Sequence, residues 1–139
     1  MSRLIYYSEV REIGPGGVQA ILDTARRNNE RTGVTGGLLF NRHYFLQAIE
    51  GDRTQVTTTF CKIALDRRHG NVTLASVHDI GHRDFLDWSM GYVASTVPEL
   101  KLLLREFLPT EEFTPQLLST DSIIALMKRI QQAQTSTVG

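Results

Sequence analysis

A chain of 139 residues, 41% of them hydrophobic, has the length of one domain with one sizeable core. Its 15 basic and 15 acidic side chains cancel to zero formal charge, which argues against nucleic-acid binding through a global positive field and against a polybasic membrane anchor. No apolar run approaches the ~20 residues of a spanning helix, and the N-terminus breaks at Ser8-Glu9 before a secretory apolar segment could form. A single cysteine, Cys61, permits no internal disulfide, so the expectation is a soluble cytoplasmic protein.

In chain order, Arg3 to Ser8 reads as the first strand. Gly14-Pro15-Gly16-Gly17 makes a turn. Val18, Ile21, Leu22 and Ala25 then recur at i, i+3, i+4 and i+7, which predicts a helix ending near Asn28-Asn29. Gly33 to Phe40 and Tyr44 to Ile49 predict two strands joined by a hairpin-length Asn41-Arg42-His43. A second helix is expected from about Arg53 to Arg67, with Val56, Phe60, Ile63 and Ala64 on its apolar face. Asn71 to Ile80 and Trp88 to Val93 read as the fourth and fifth strands.

The order β-α-β-β-α-β-β is that of a ferredoxin-like α+β sheet with one added strand. Right-handed crossovers put both helices on one face. After the join at Ala94 to Pro98, two more helices are expected. Leu100, Leu103, Leu104 and Phe107 form the first stripe, widened by Leu102 and Leu108, with Thr96 as N-cap and Pro98 in the first turn. Ile123, Met127 and Ile130 form the second, capped by Thr120 or Asp121. This C-terminal pair is expected on the other sheet face. The chain therefore divides into a main domain, residues 1–96, and a helical extension, residues 97–139, frayed from Gln134.

Alternation places Phe45, Gln47 and Ile49 on one face of the third strand, Leu4 and Tyr6 on one face of the first, and Trp88 and Met90 on one face of the fifth. The first and third strands form the central pair of this topology, so Tyr6 and Gln47 can be neighbours. A glutamine amide has two donors and two lone pairs, more than one tyrosine hydroxyl can satisfy, and an unpaired buried polar group costs roughly 1–3 kcal/mol. Either the pair is a structural hydrogen bond at a sheet centre, or the site holds water or a polar ligand.

Asn28 and Asn29 likewise have two readings. They cap the first helix, or they offer an amide to a heteroaromatic edge in the groove between the two crossover helices. Arg26, Arg27 and Arg31 near one helix end, and Arg67, Arg68 and His69 near the other, either complement helix dipoles or clamp a phosphate at the groove mouth. The glycine-rich turn fits neither phosphate-loop pattern. His78 to Asp84 lacks helical ligand spacing, so no metal is expected. Cys61 is expected to be buried and inert. No Ser/His/Asp arrangement or acid pair supports catalysis.

Taken together, Leu4-Ile5-Tyr6-Tyr7-Ser8, Asn28-Asn29, Gly33-Val34-Thr35-Gly36-Gly37-Leu38-Leu39, Phe45-Leu46-Gln47-Ala48-Ile49-Glu50-Gly51, Asp66-Arg67-Arg68-His69 and Phe85-Leu86-Asp87-Trp88-Ser89-Met90 resemble the BLUF family, flavin-based sensors of blue light. The match lies in the order and spacing of these segments over residues 3–94. The resemblance implies a ferredoxin-like sensor domain with FAD held noncovalently between the crossover helices. It makes Tyr6 the tyrosine close to the flavin and Gln47 the glutamine that bridges Tyr6 and the flavin edge. Asn29 matches the asparagine at the ring carbonyls, and Asn28 its neighbour. Trp88 and Met90 match the residues that exchange places near Gln47. Arg68 and His69 match positions near the phosphate-bearing side chain and ring edge, and Arg67 a phosphate contact.

The resemblance also implies a photocycle without turnover. Tyr6 gives an electron and a proton to the excited flavin, Gln47 relays the proton and is left rotated or tautomerised, and a red-shifted signalling state results. Output would pass to a downstream protein, through self-association as a homodimer, or through the helices at 97–133. Ala48, small where some relatives carry a larger residue, is expected to alter packing around the switch. Two other classes remain open. An acylphosphatase-type hydrolase needs an arginine-bearing phosphate loop after the first strand, where residues 9–17 offer only Arg11. In a cofactor-free interaction module, Tyr6, Gln47 and Asn29 would be structural.

Overall fold

The computed structural model describes residues 1–12, 14–92, 98–110 and 112–138, and among them the side chains of all but 18, 88–92, 100 and 133–138. The chain runs β1 (Ser2–Val10), α1 (Gly17–Thr32), β2 (Thr35–Phe40), β3 (Tyr44–Gly51), α2 (Arg53–Ala64), β4 (His69–Asp79), β5 (Trp88–Tyr92), α3 (Pro98–Phe107), a 3₁₀ turn (Pro115–Leu117) and α4 (Thr120–Val138). The strands form one sheet in the order β4-β1-β3-β2-β5. All neighbours are antiparallel except β2 and β5, which are parallel. This is the expected ferredoxin-like arrangement, with the fifth strand on the free edge of β2.

The sheet is covered on both faces, and strand alternation decides which residue serves which face. On one side Leu4, Tyr6, Ile49 and Val34 pack with Val56, Phe60 and Ile63. Beside them Leu38, Phe40 and Phe45 meet Ile21 of α1. On the other side Ile5, Leu39, Leu46 and Ala48 join Leu103, Leu104, Leu108, Ile123, Leu126, Met127 and Ile130. The C-terminal helices thus close the second face, as their apolar stripes predict. Leu104 and Leu126 are fully buried, each worth about 1.5–3 kcal/mol relative to exposure. Gly36 is required where β2 crosses β3, because a Cβ there would lie 1.9 Å from the Ala48 carbonyl oxygen.

Several boundaries differ from expectation, each for a local reason. Helix α1 continues past Asn28-Asn29 to Thr32. Gly33, at φ 75°, supplies the left-handed cap and donates its N–H to Asn29 O at 2.8 Å. The asparagines are therefore not the cap, and β2 starts at Thr35 rather than Gly33. Helix α2 stops at Ala64, not Arg67. The Asp66 carboxylate accepts the Arg68 N–H at 3.0 Å, an Asx turn that competes with the helix and lets β4 begin at His69.

Ala64 and Cys61 are exposed rather than buried. Leu102 is 67% exposed and does not widen the α3 stripe. The cap of α4 is Ser119 instead of Thr120 or Asp121, its Oγ accepting the Ser122 N–H at 3.2 Å. Ala48 faces the C-terminal helices, not the Gln47 side of β3, so its small size bears on that core instead. The expected α3 cap, Thr96, and the join from Val93 to Val97 lie outside the described residues, as does the Leu100 side chain.

Candidate functional site

Helices α1 and α2 cross the same sheet face and leave a groove between them. Ile21, Thr24, Ala25, Asn28, Asn29, Arg31 and Thr32 line one wall. Gln55, Thr58, Thr59, Lys62 and Ile63 line the other, with Gln47, Asp66, Arg68 and His69 completing it. About 750 Å³ inside the groove, its open mouth included, is free of atoms. Helix α1 contributes Asn28 and Asn29 because Gly33 extends it to Thr32, and β3 contributes Gln47 through its alternation.

Tyr6 and Gln47 are registered partners on the central strands. The Tyr6 hydroxyl donates to Gln47 Oε1. Tyr6 is 1% exposed and Gln47 5%. Burial, and secondarily the Asp66 charge, push the Tyr6 phenol far above its ordinary range, so its proton stays on Oη. With Oε1 taken by Tyr6, the Gln47 amide nitrogen has no protein partner among the described residues. Asn29, 7% exposed, likewise has no side-chain hydrogen bond to a described residue. Two buried primary amides therefore line a groove with unused capacity to donate and accept. Their free amide groups reach the open groove, where a polar guest can take the place of water.

His69 sits below the other end. Its Nδ1 lies 2.7 Å from Ser8 Oγ, and its ring packs on Phe45 at 4.6 Å and edgewise on Tyr6 at 6.0 Å. Burial pushes His69 down to about 4, with Asp66 opposing and Arg68 assisting, so the ring is neutral at physiological pH. Arg68 is engaged by Asp66, through Nε at 3.0 Å and Nη2 at 2.5 Å. That hydrogen-bonded pair holds the Asp66 carboxyl below its ordinary range.

The groove thus unites Asn28, Asn29, Gln47, Arg68 and His69, with Tyr6 directly beneath Gln47. It does not include Arg67, which is exposed beyond α2 and absent from the lining. The side chains of Trp88 and Met90 lie outside the described residues. Their backbone pairs with Gly36 and Leu38 of β2. Sequence reasoning gave no role to Ser8, Asp66, Lys62 or Gln55. Of these, Asp66 had a readable signal, the Asp-x-Arg spacing of an Asx turn. Among the described residues no cluster of three or more His, Cys, Asp or Glu could hold a metal, and no helix is long and apolar enough to cross a membrane.

The groove suits a planar heteroaromatic ring. Ile21, Ala25 and Ile63 offer apolar walls, the Gln47 and Asn29 amides offer paired donors and acceptors for a ring edge, and Arg31 and Lys62 add cations for an anionic tail. Residues 1–91 match the model of the BLUF family, sensors of blue light using FAD. The chain belongs to that family and is a flavin-binding blue-light sensor, with FAD as its cofactor.

Among solved structures, BlrB, a BLUF protein in its dark state, is 33% identical with a TM-score of 0.72, each chain covered over 96% of its length. The photo-activated state of BlsA is 27% identical with a TM-score of 0.77, with 93% of each chain covered. Among curated proteins, the blue light- and temperature-regulated antirepressor BluF of Escherichia coli (strain K12) is 37% identical over 73 residues, 52% of this chain. A photoactivated adenylate cyclase subunit beta of Euglena longa is 29% identical over 119 residues, 84% of this chain. The matched regions span only 18% and 13% of those two relatives.

Proposed function

We propose that residues 1–96 form the light-sensing domain, that Tyr6, Gln47, Asn29, Asn28, Arg68 and His69 surround the flavin, and that residues 97–139 carry the output. The observation that supports this reading most is the Tyr6–Gln47 hydrogen bond, with Gln47 lining the groove and a second lining amide, Asn29, without a side-chain partner among the described residues.

Bound flavin supplies blue-light absorption and, once excited, an oxidant. The protein residues do the rest. Tyr6 keeps its proton on Oη in the dark and is aimed at Gln47 Oε1. It is thus a donor of one electron and one proton along a hydrogen bond already formed. Gln47 presents its amide nitrogen to the groove because its oxygen is committed to Tyr6. A half-turn or tautomerisation of that amide exchanges donor and acceptor, and the flavin edge then meets a different hydrogen-bond pattern. Two discrete arrangements of a buried amide make a two-state switch. Met90 and Trp88 on β5 are the residues assigned to register the change. Arg67, outside the groove lining, is kept only as a contact for a phosphate that extends beyond it.

Output passes to a separate protein, with self-association as a homodimer through the leucine-rich helices as the second route. BlrP1 of Klebsiella pneumoniae, seen with cyclic diGMP, and a bacterial light-regulated adenylyl cyclase share the fold of this chain over about a third of their own length. In this chain the output role falls to α3 and α4, which pack on the second face of the sheet. The cytoplasmic reading rests on the lone Cys61, and the reading of action without direct contact to nucleic acid or membrane rests on the zero net charge, which offers no global positive field.

The test is spectroscopic. The purified chain loaded with FAD should show a blue-light band that shifts reversibly to the red. Tyr6→Phe and Gln47→Leu should retain FAD and lose that shift. A normal red shift in either variant would refute the assigned roles.

A further inference from the structure

The segment between β4 and β5 is bonded to both sides of the sheet through consecutive residues. Arg83 Nη1 donates to Gly33 O at 2.7 Å, to Thr35 Oγ1 at 2.7 Å and to Glu50 O at 3.3 Å. Gly33 is the residue whose N–H closes the last turn of α1 on Asn29 O. Arg83 therefore grips the end of the helix that carries the groove asparagines.

The next residue turns the other way. Asp84 is paired with Lys128 of α4 at 2.5 Å and with Arg3 of β1. The backbone N–H groups of Asp84 and Phe85 donate to the fully buried Glu50 carboxylate at 3.2 and 2.8 Å, and Arg3 Nε donates to it at 2.8 Å. The Phe85 ring is fully buried in the cluster formed with the C-terminal helices.

We propose that Arg83 and Asp84 are positioning residues that couple the groove to α4, by a route that bypasses the β5 side chains. The proposal rests on the reading that output leaves through the C-terminal helices. Its physical basis is continuity. One guanidinium nitrogen is shared among acceptors from the α1 cap, β2 and β3, so a small displacement of the α1 end changes its bonding set. Arg83 and Asp84 are consecutive, about 3.8 Å apart at Cα. A shift at one is therefore felt at the other, and Asp84 is held to α4 by a charge-assisted bond. Glu50, satisfied by three donors, keeps the segment from absorbing that shift as slack.

Spatial continuity alone does not demonstrate coupling, so the test measures it. The full chain loaded with FAD is compared in the dark and under blue light by hydrogen exchange over residues 120–132. Wild type, Arg83→Ala, Lys128→Met and the double variant are measured. Lys128 is 43% exposed at its side chain, and methionine keeps its stem, so that variant should fold. All should keep the red shift. The expected result is a light–dark difference in α4 for wild type that is lost in each single variant, with no further loss in the double. Wild-type differences surviving in both singles, or partial losses that simply add in the double, would overturn the bridge while leaving C-terminal output standing. Absence of any α4 difference in wild type would overturn the output reading and the bridge with it. If Arg83→Ala fails to fold, Arg83→Met, which keeps an apolar stem and has no N–H to donate, takes its place.

Discussion

The two faces of the sheet handle buried polarity in opposite ways. On the C-terminal side, Glu50 is fully buried and meets Arg3 and two backbone N–H groups. On the groove side, three residues earlier on β3, Gln47 meets Tyr6 alone among the described residues, and the Asn29 side chain nearby meets none of them. A satisfied buried group is architecture. A polar group that reaches into an open groove is a socket, free to exchange water for a guest. The sheet is rigid on one side and unfinished on the other, as a receptor that must hold a chromophore and transmit its state requires.

This contrast can be broken or sharpened by substitution. The largest effect should come from the finished face. Glu50→Leu leaves Arg3 Nε and two backbone N–H groups without their buried acceptor, with only Asp84 remaining on Arg3, and should cost about 3–5 kcal/mol in denaturant unfolding. A loss below about 1 kcal/mol would show that the network is not architectural.

Next comes acid. His69 is held near 4 in the folded chain against an ordinary value of 6.5. The unfolded chain takes up that proton first. Its stabilising contribution is therefore complete above about pH 6.5, falls as pH drops toward 4, and levels off below. Asp66, held low by Arg68, and Asp84, held low chiefly by Lys128, act in a second window. Their contribution is present above the ordinary carboxylate value and is lost as pH falls below it. Urea midpoints of the flavin-free chain across this range should show both windows, and His69→Phe should abolish the first.

A smaller effect is expected at the start of α2. The Asp52 carboxylate accepts the Thr54 and Gln55 N–H groups at 3.1 and 3.2 Å. Val56 is the buried side chain of that helix, so the groove wall depends on local capping. Asp52→Ala should cost about 1 kcal/mol. The smallest effect has the opposite sign. Asn29→Ala removes an unpaired amide and a poor helix former, so the flavin-free chain should gain about 0.5 kcal/mol. FAD titration of the same variant should show weaker binding. Loss of stability with unchanged affinity would mean that Asn29 belongs to the architecture after all.

Much of this was legible in the chain itself. Period-2 alternation on β1 and β3 placed Tyr6 and Gln47 together, and the stripe of Leu103, Leu104, Ile123 and Ile130 placed the C-terminal helices on the second face. Local competition hid the helix ends. Asn28-Asn29 looked like a terminus because asparagine tolerates the left-handed region, but Gly33 tolerates it better and came later. Arg67, Arg68 and His69 looked like one basic helix end, but the Asx turn of Asp66 scattered them: Arg67 to solvent, Arg68 to a carboxylate and His69 under the groove. The Glu50 network was invisible for a different reason. Its partners are 34 to 47 residues away in sequence, and no local pattern reports a pairing of that range.

One feature sets how these experiments can be done. Cys61 is the only cysteine and stands exposed on α2, absent from the groove lining. A single thiol-directed probe will therefore attach at one defined point on the helix that walls the chromophore site, with no background cysteines to remove. The same thiol can join two chains by oxidation on storage. Reductant, or Cys61→Ser, belongs in every measurement of association, so that a covalent artefact is never read as a light-regulated dimer.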